Sequence, residues 1–225
     1  IWNADIVAGM ARIFGDGVSG DWKVPGEFGK DVEVTKANTT LFAGDRDMFV
    51  FLADEKNRIE LPNRRDGKTG LMARGFFVWN SEVGSSTFGV STFLFDYVCC
   101  NRIVWGAEDV KEIKIRHTAG APVRFLEQIA PALNTYAQGS TRNIVESIEK
   151  ARAARLDDVD AFLANRYSKR MAAALKTTHE LEEGRPIESL WDVATAVTAR
   201  ARNIQYQDER VEIERDGGAL IKLAA

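Results

Sequence analysis

The hydrophobic period of this chain changes once, at Gly120, and that change constrains the fold more than any single motif. Before it, apolar and polar residues alternate in short runs. Residues 87–94 set Phe88, Val90 and Thr92 against Thr87, Gly89, Ser91 and Phe93, and residues 111–117 place Ile113 and Ile115 between charged neighbours. A period of 2 is that of a strand whose side chains alternate between two faces. After Gly120 the apolar residues recur at helical spacing, as in Val159, Phe162, Leu163, Tyr167, Met171 and Leu175. Strands first and helices afterwards predict an α+β fold: antiparallel hairpins forming a curled sheet, packed with a helical C-terminal half. One domain over 1–225 is expected, irregular over 1–38, β-rich over 39–120 and mainly helical over 121–225. The chain opens on Ile1 rather than Met, which leaves room for residues before it.

Within that frame, 4–14 reads as a helix. Residues 48–53 and 58–61 read as strands joined by a hairpin-like turn at 54–57. The segment NRRDGKTG, 63–70, is a glycine-punctuated basic loop, 74–80 an aromatic strand, and 82–86 a turn around Gly84. The run 93–104 is apolar enough for a continuing strand or a buried helix. Pro122 suits the first turn of a helix reaching about 137, which Gly139 ends. Ser140 or Thr141 caps a second helix through 155, and Asp157 or Asp158 caps a third running to about 183. Gly184 and Pro186 break it, and 187–203 is a fourth. The last segment reads as short helix or strand with a turn at Gly217 and Gly218.

Thirty basic against 33 acidic residues, a formal charge of −3, give no global attraction to nucleic acid or an anionic membrane. The distribution is uneven. Residues 1–61 carry 7 basic against 11 acidic groups, whereas 62–75 hold Arg64, Arg65, Lys68 and Arg74 against Asp66 alone. Lys111, Lys114, Arg116, His117 and Arg124 form a second cluster. No apolar run approaches the roughly 20 residues that span a bilayer, and no signal peptide is visible, so a cytoplasmic setting is expected. Cys99 and Cys100 are adjacent and lack Cys-x-x-Cys spacing, and the other metal-binding candidates are His117 and His179. Reduced thiols, no metal and no cofactor are the expectation.

Catalytic patterns are sparse. Cys99 or Cys100 with His117 and Asn101 or Asp96 supplies the residue types of nucleophilic catalysis, but an apolar run disfavours a thiolate. Neither GxSxG nor a GxxxxGK[ST] loop occurs. The carboxylates of DDVD, 157–160, suit a helix start. A catalytic role is therefore not expected, nor is a small-molecule substrate. Asn80, Glu82 and Asn101, with Arg116, flank apolar strands and are expected to meet in a structural polar cluster, since buried polar groups need partners. Phe76, Phe77, Trp79, Phe88, Phe93 and Phe95 stand at strand spacing as core residues. A basic loop directly before an aromatic strand is also how proteins hold single-stranded nucleic acid, cations on phosphates and rings on bases. On that reading Arg64, Arg65, Lys68, Arg74, Lys114, Arg116 and His117 meet phosphates, while Phe77 and Trp79 offer stacking surfaces.

Several words of the chain are distinctive: TTLFAGDRDMFVFL (39–52), NSEVG (80–84), VCCN (98–101), IRHT (115–118) and SLWDVATAVTARARNIQYQDERVEIERDGGALI (189–221). Together they resemble the phage- and plasmid-borne family known as domain of unknown function 932 (DUF932), with Trp191, Asp192, Thr198, Ala199, Arg210 and Glu214 on typical positions. The resemblance implies a mobile-element origin and a bacterial cytoplasmic setting, and carries no reaction. A curled sheet followed by a packed helix, with basic loops, is also similar to the core of single-strand annealing recombinases, which bind single-stranded DNA in oligomeric rings. Two readings stand. One is non-enzymatic binding of single-stranded DNA in recombination or replication by a homo-oligomer; the other is a structural or assembly protein that oligomerises without binding nucleic acid.

Overall fold

A computed structural model describes residues 1–25, 41–61, 69–97, 101–105, 113–115 and 121–224. Its strands are β1 (Trp22–Lys23), β2 (Leu41–Ala43), β3 (Met48–Asp54), β4 (Ile59–Leu61), β5 (Gly70–Asn80), β6 (Phe88–Asp96), β7 (Asn101–Ile103) and β8 (Ile113–Ile115). Its helices are α1 (Asn3–Phe14), α2 (Ala121–Gln138), α3 (Arg142–Ala153), α4 (Val159–Arg166), α5 (Lys169–Glu183), α6 (Leu190–Ala201) and α7 (Gln207–Lys222). The fold is α+β. The chain gathers into two compact units, one of Ile1–Cys100 with Gly106–Gly139, the other of Asn101–Trp105 with Ser140–Ala225.

In the first unit the antiparallel ladder runs β1-β3-β5-β6, with β2 also on β3, β4 on β5 and β8 on β6. Both sheet faces are apolar, which is why Phe76–Trp79 reads as a run rather than an alternation. One face carries Met48, Val50, Leu52, Phe76, Val78, Phe88 and Val90 against Ile6, Met10 and Phe14 of α1 and Leu126, Ile129 and Leu133 of α2. Phe14 and Trp22 meet Phe76 with ring centroids 4.7 and 4.9 Å away. The other face carries Phe49, Phe51, Phe77, Trp79 and Phe93, with Phe51 stacked on Phe77 at 5.1 Å. Two glycines make room for these rings. A Cβ on Gly75 would stand 2.4 Å from the Phe93 ring, and one on Gly89 would stand 2.1 Å from the Trp79 ring. Each glycine pairs across the ladder with the aromatic that lies over it.

The register corrects the expected hairpin at 54–57. Ala53 faces Gly75 and Ile59 faces Met72, so β3 and β4 follow one another along the same edge of β5. Five residues (54–58) stand against two (73 and 74), an outward excursion within one long strand. Asp54 closes it by accepting from the Lys56 and Asn57 amides at 2.9 and 3.3 Å and from Asn57 Nδ2 at 2.8 Å. The chain reverses instead between Leu61 and Gly70, which face one another.

The second unit is built on α6, buried at nearly every position and packed by α3, α5, α7 and β7. Ser189 and Asp192 close a capping box at its start. The single helix expected up to 183 is two: α4, capped by Asp158 on the Ala161 amide at 2.8 Å, and α5, capped by Ser168 on the Met171 amide at 3.2 Å. A serine at a helix start competes for backbone amides, and here it begins a new helix despite the unbroken apolar stripe. Gly217 and Gly218 do not turn the chain, because α7 runs through them. They are small for close approach: a Cβ on Gly217 would stand 2.5 Å from Thr198 Cγ2, and one on Gly218 would stand 2.1 Å from the Val104 carbonyl oxygen.

Candidate functional site

The basic segment 62–68 lies in sequence between the antiparallel partners β4 and β5, whose Leu61 and Gly70 face one another. Arg64, Arg65 and Lys68 themselves lie outside the described residues, as do Arg116, His117, Cys99 and Cys100. Lys114 is exposed on β8, opposite Gly89 of β6.

Arg74 is corrected from a phosphate contact to a helix cap. It is 2% exposed, on the face of β5 that packs against the helices. Its Nη1 donates to the Gly139 carbonyl at 2.9 Å and its Nη2 to that of Ala137, and the guanidinium lies 5.6 Å from the Tyr136 ring centroid. A cation there satisfies carbonyls that α2 leaves unbonded and complements the negative end of its dipole. Burial holds the Arg74 pKa below its ordinary value, with the charges of Tyr136 and Asp54 working against it. Phe77 and Trp79 are corrected likewise. Phe77 is fully buried and Trp79 is 6% exposed, so their rings fill the sheet face rather than offering a surface to bases.

Asn80 and Glu82 meet at the start of α1. Asn80 Nδ2 donates to the Ile1 carbonyl at 3.1 Å and to Asn3 Oδ1 at 2.8 Å, and the Asn3 amide donates to Glu82 Oε1 at 2.6 Å. Trp2 supplies no side-chain cap, so the carboxylate of Glu82 does the capping from across the fold. Ser81 ties the same turn to the Arg46 carbonyl at 2.5 Å, and Gly84 takes a φ of 79° that a side chain would strain. These polar residues fix a turn. Asn101 belongs to the second unit, 1% exposed, and neither of its side-chain amide atoms has a hydrogen-bond partner among the described residues.

The second unit holds a cluster that sequence reading missed. Glu214, fully buried, accepts on Oε1 from Arg102 Nε at 2.9 Å and from Arg210 Nε at 2.8 Å. Arg102 Nη2 donates to Gln207 Oε1 at 2.9 Å. Burial, joined by the charge of Arg210 and opposed by Glu214, brings the Arg102 pKa down to about 10. The signal was half present in sequence, since Arg210 and Glu214 stand four apart on one helix face. Arg102 gave none. A second buried set joins Asp192 to Arg185, whose Nη1 and Nη2 donate to the carboxylate at 2.8 and 2.5 Å. His179 Nε2 stands 3.9 Å from Asp192 Oδ1 and has no hydrogen-bond partner among the described residues.

The described residues thus hold structural ion pairs and caps. The chain belongs to the family described as domain of unknown function (DUF932), whose model matches residues 28–216. No curated protein and no solved structure matches the chain.

Proposed function

We propose that this DUF932 protein is a non-enzymatic nucleic-acid-binding protein of phage or plasmid recombination or replication, active in the bacterial cytoplasm on single-stranded DNA. The reading rests on one observation. The connection between the paired residues Leu61 and Gly70 carries Arg64, Arg65 and Lys68 against Asp66 alone, in a chain whose first 61 residues are net acidic. With Phe77 and Trp79 buried, phosphate charge rather than base stacking carries the affinity. Each phosphate contact to a single strand adds about 0.7 to the slope of log affinity against log salt. Replacing Arg64 and Arg65 together by Ala is expected to flatten that slope by about 1.4 in a fluorescence-anisotropy salt series. An unchanged slope refutes their assignment. No binding of wild type to single- or double-stranded nucleic acid at ~50 mM salt ends the reading altogether.

Assembly without nucleic acid is favoured by a separate observation. Trp2 and Val83 are 68% and 70% exposed, each next in sequence to a partner of the Asn3–Glu82 hydrogen bond. Mass measurement across a concentration series tests this: a concentration-dependent mass that Trp2→Ala abolishes supports it, and a constant monomer mass ends it.

A further inference from the structure

We infer that α7 carries an oxyanion-binding notch made by the outward-facing donors of Gln207 and Arg210. Both residues are more than nine-tenths buried, at 8% and 6% exposure, and each is anchored from the inside. Gln207 Oε1 is held by Arg102 Nη2 at 2.9 Å, and Arg210 Nε is held by Glu214 Oε1 at 2.8 Å. What remains of each side chain is donor only: Nε2 of Gln207, and Nη1 and Nη2 of Arg210. None of these nitrogens has an acceptor among the described residues, and none is sealed from solvent. The two residues stand three apart in α7, so their side chains lie on one face of the helix.

Donors whose rotamers are already fixed lose little entropy when a ligand arrives, and a guanidinium favours an anionic oxygen over a neutral carbonyl. The acids of the first turn lie elsewhere. At about 100° per residue, Glu209 falls roughly 200° from Gln207 around the helix and Asp208 about 100°. The chemistry fits a phosphate group, either free or within a nucleic-acid backbone. The inference does not rest on the nucleic-acid reading, because the notch involves none of Arg64, Arg65 and Lys68.

Titration of the full chain with inorganic phosphate, by calorimetry against chloride at equal ionic strength, tests it. Saturable binding at one site is expected, with a dissociation constant on the order of 1 mM. Gln207→Glu keeps the oxygen that Arg102 bonds while replacing the outward donor by a carboxylate. It should weaken phosphate at least tenfold with an unchanged circular-dichroism spectrum. Arg210→Lys, which keeps the charge and loses the planar fork, should weaken it as well. An oligonucleotide without terminal phosphates separates the sources: displacement of phosphate assigns the notch to a phosphodiester, and no displacement assigns it to a free phosphate group. No saturable phosphate binding in wild type, or equal binding by a folded Gln207→Glu variant, overturns the inference.

Discussion

The two units differ in the partners given to their buried arginines, Arg74 in the first and Arg102 and Arg210 in the second. In the β-rich unit, Arg74, Asn80 and Ser81 each donate to backbone carbonyls at the ends of elements. In the helical unit, the charged groups meet other side chains, Arg102 with Glu214 and Gln207, Arg185 with Asp192, Tyr167 with Asp216, while Thr195 and Thr198 donate to backbone carbonyls of their own helix. A backbone partner is supplied wherever a helix or strand stops, so removing the side chain exposes a dipole. A charged partner exists only because two distant segments met, and removing it strands a charge. The helical unit should therefore be the more sensitive of the two to single polar substitutions.

The largest effect that would sharpen this contrast is at Glu214. Glu214→Gln leaves Arg102 and Arg210 buried around a neutral amide, and a loss of about 3–5 kcal/mol in urea unfolding is expected. A loss below about 1 kcal/mol, the range of exposed pairs, would show that the cluster is solvated and the contrast false.

Packing glycines come next, with one in each unit. Gly218→Ala drives a Cβ into the Val104 carbonyl oxygen, which is backbone, whereas Gly89→Ala drives one into the Trp79 ring, which can tilt. Both should cost about 1–3 kcal/mol, with Gly218 the costlier. The reverse order in thermal unfolding would mean that the sheet face yields less than the contact of α7 with Val104.

A smaller effect concerns acid. Burial alone would raise the Asp192 pKa, but the Arg185 hydrogen bond, the Glu188 amide and the Arg185 charge outweigh it and hold the carboxyl below its ordinary 3.8. The unfolded chain then takes up its proton first as pH falls. The stabilisation is complete above that ordinary value and is lost below it, as the folded carboxyl protonates. The stability gap between wild type and Asp192→Asn should accordingly narrow only below about pH 4, and a gap already closing at neutral pH would contradict the assignment.

The same contrast explains what could be read in advance. The period switch at Gly120 separated strands from helices, and the turn at Gly84 and the Asp158 cap were visible because local chemistry makes them, whereas Thr141 starts its helix without a side-chain cap. The hairpin at 54–57 misled because Asp54 and Asn57 are turn residues whether the chain reverses or only bulges; register alone distinguishes the two. Gly217 and Gly218 misled because glycine serves close packing as well as turns. Arg74 was grouped with Arg64 and Arg65 by sequence proximity, although strand alternation turns it toward the helices. Arg102 and Glu214 stand 112 residues apart, and no local pattern announces such a pair.

One arginine builds the fold and two others are assigned to binding, and two variants measured side by side test that separation most directly. Arg74→Met should lower stability by about 1–3 kcal/mol, because the carbonyls of Ala137 and Gly139 lose their donor, and the folded protein should keep its salt slope for single-stranded DNA. The Arg64→Ala, Arg65→Ala double variant should unfold like wild type and bind DNA with a slope flatter by about 1.4. The opposite pairing would contradict the account: a flattened slope from Arg74→Met with unaltered stability, and destabilisation from the double variant with an unaltered slope.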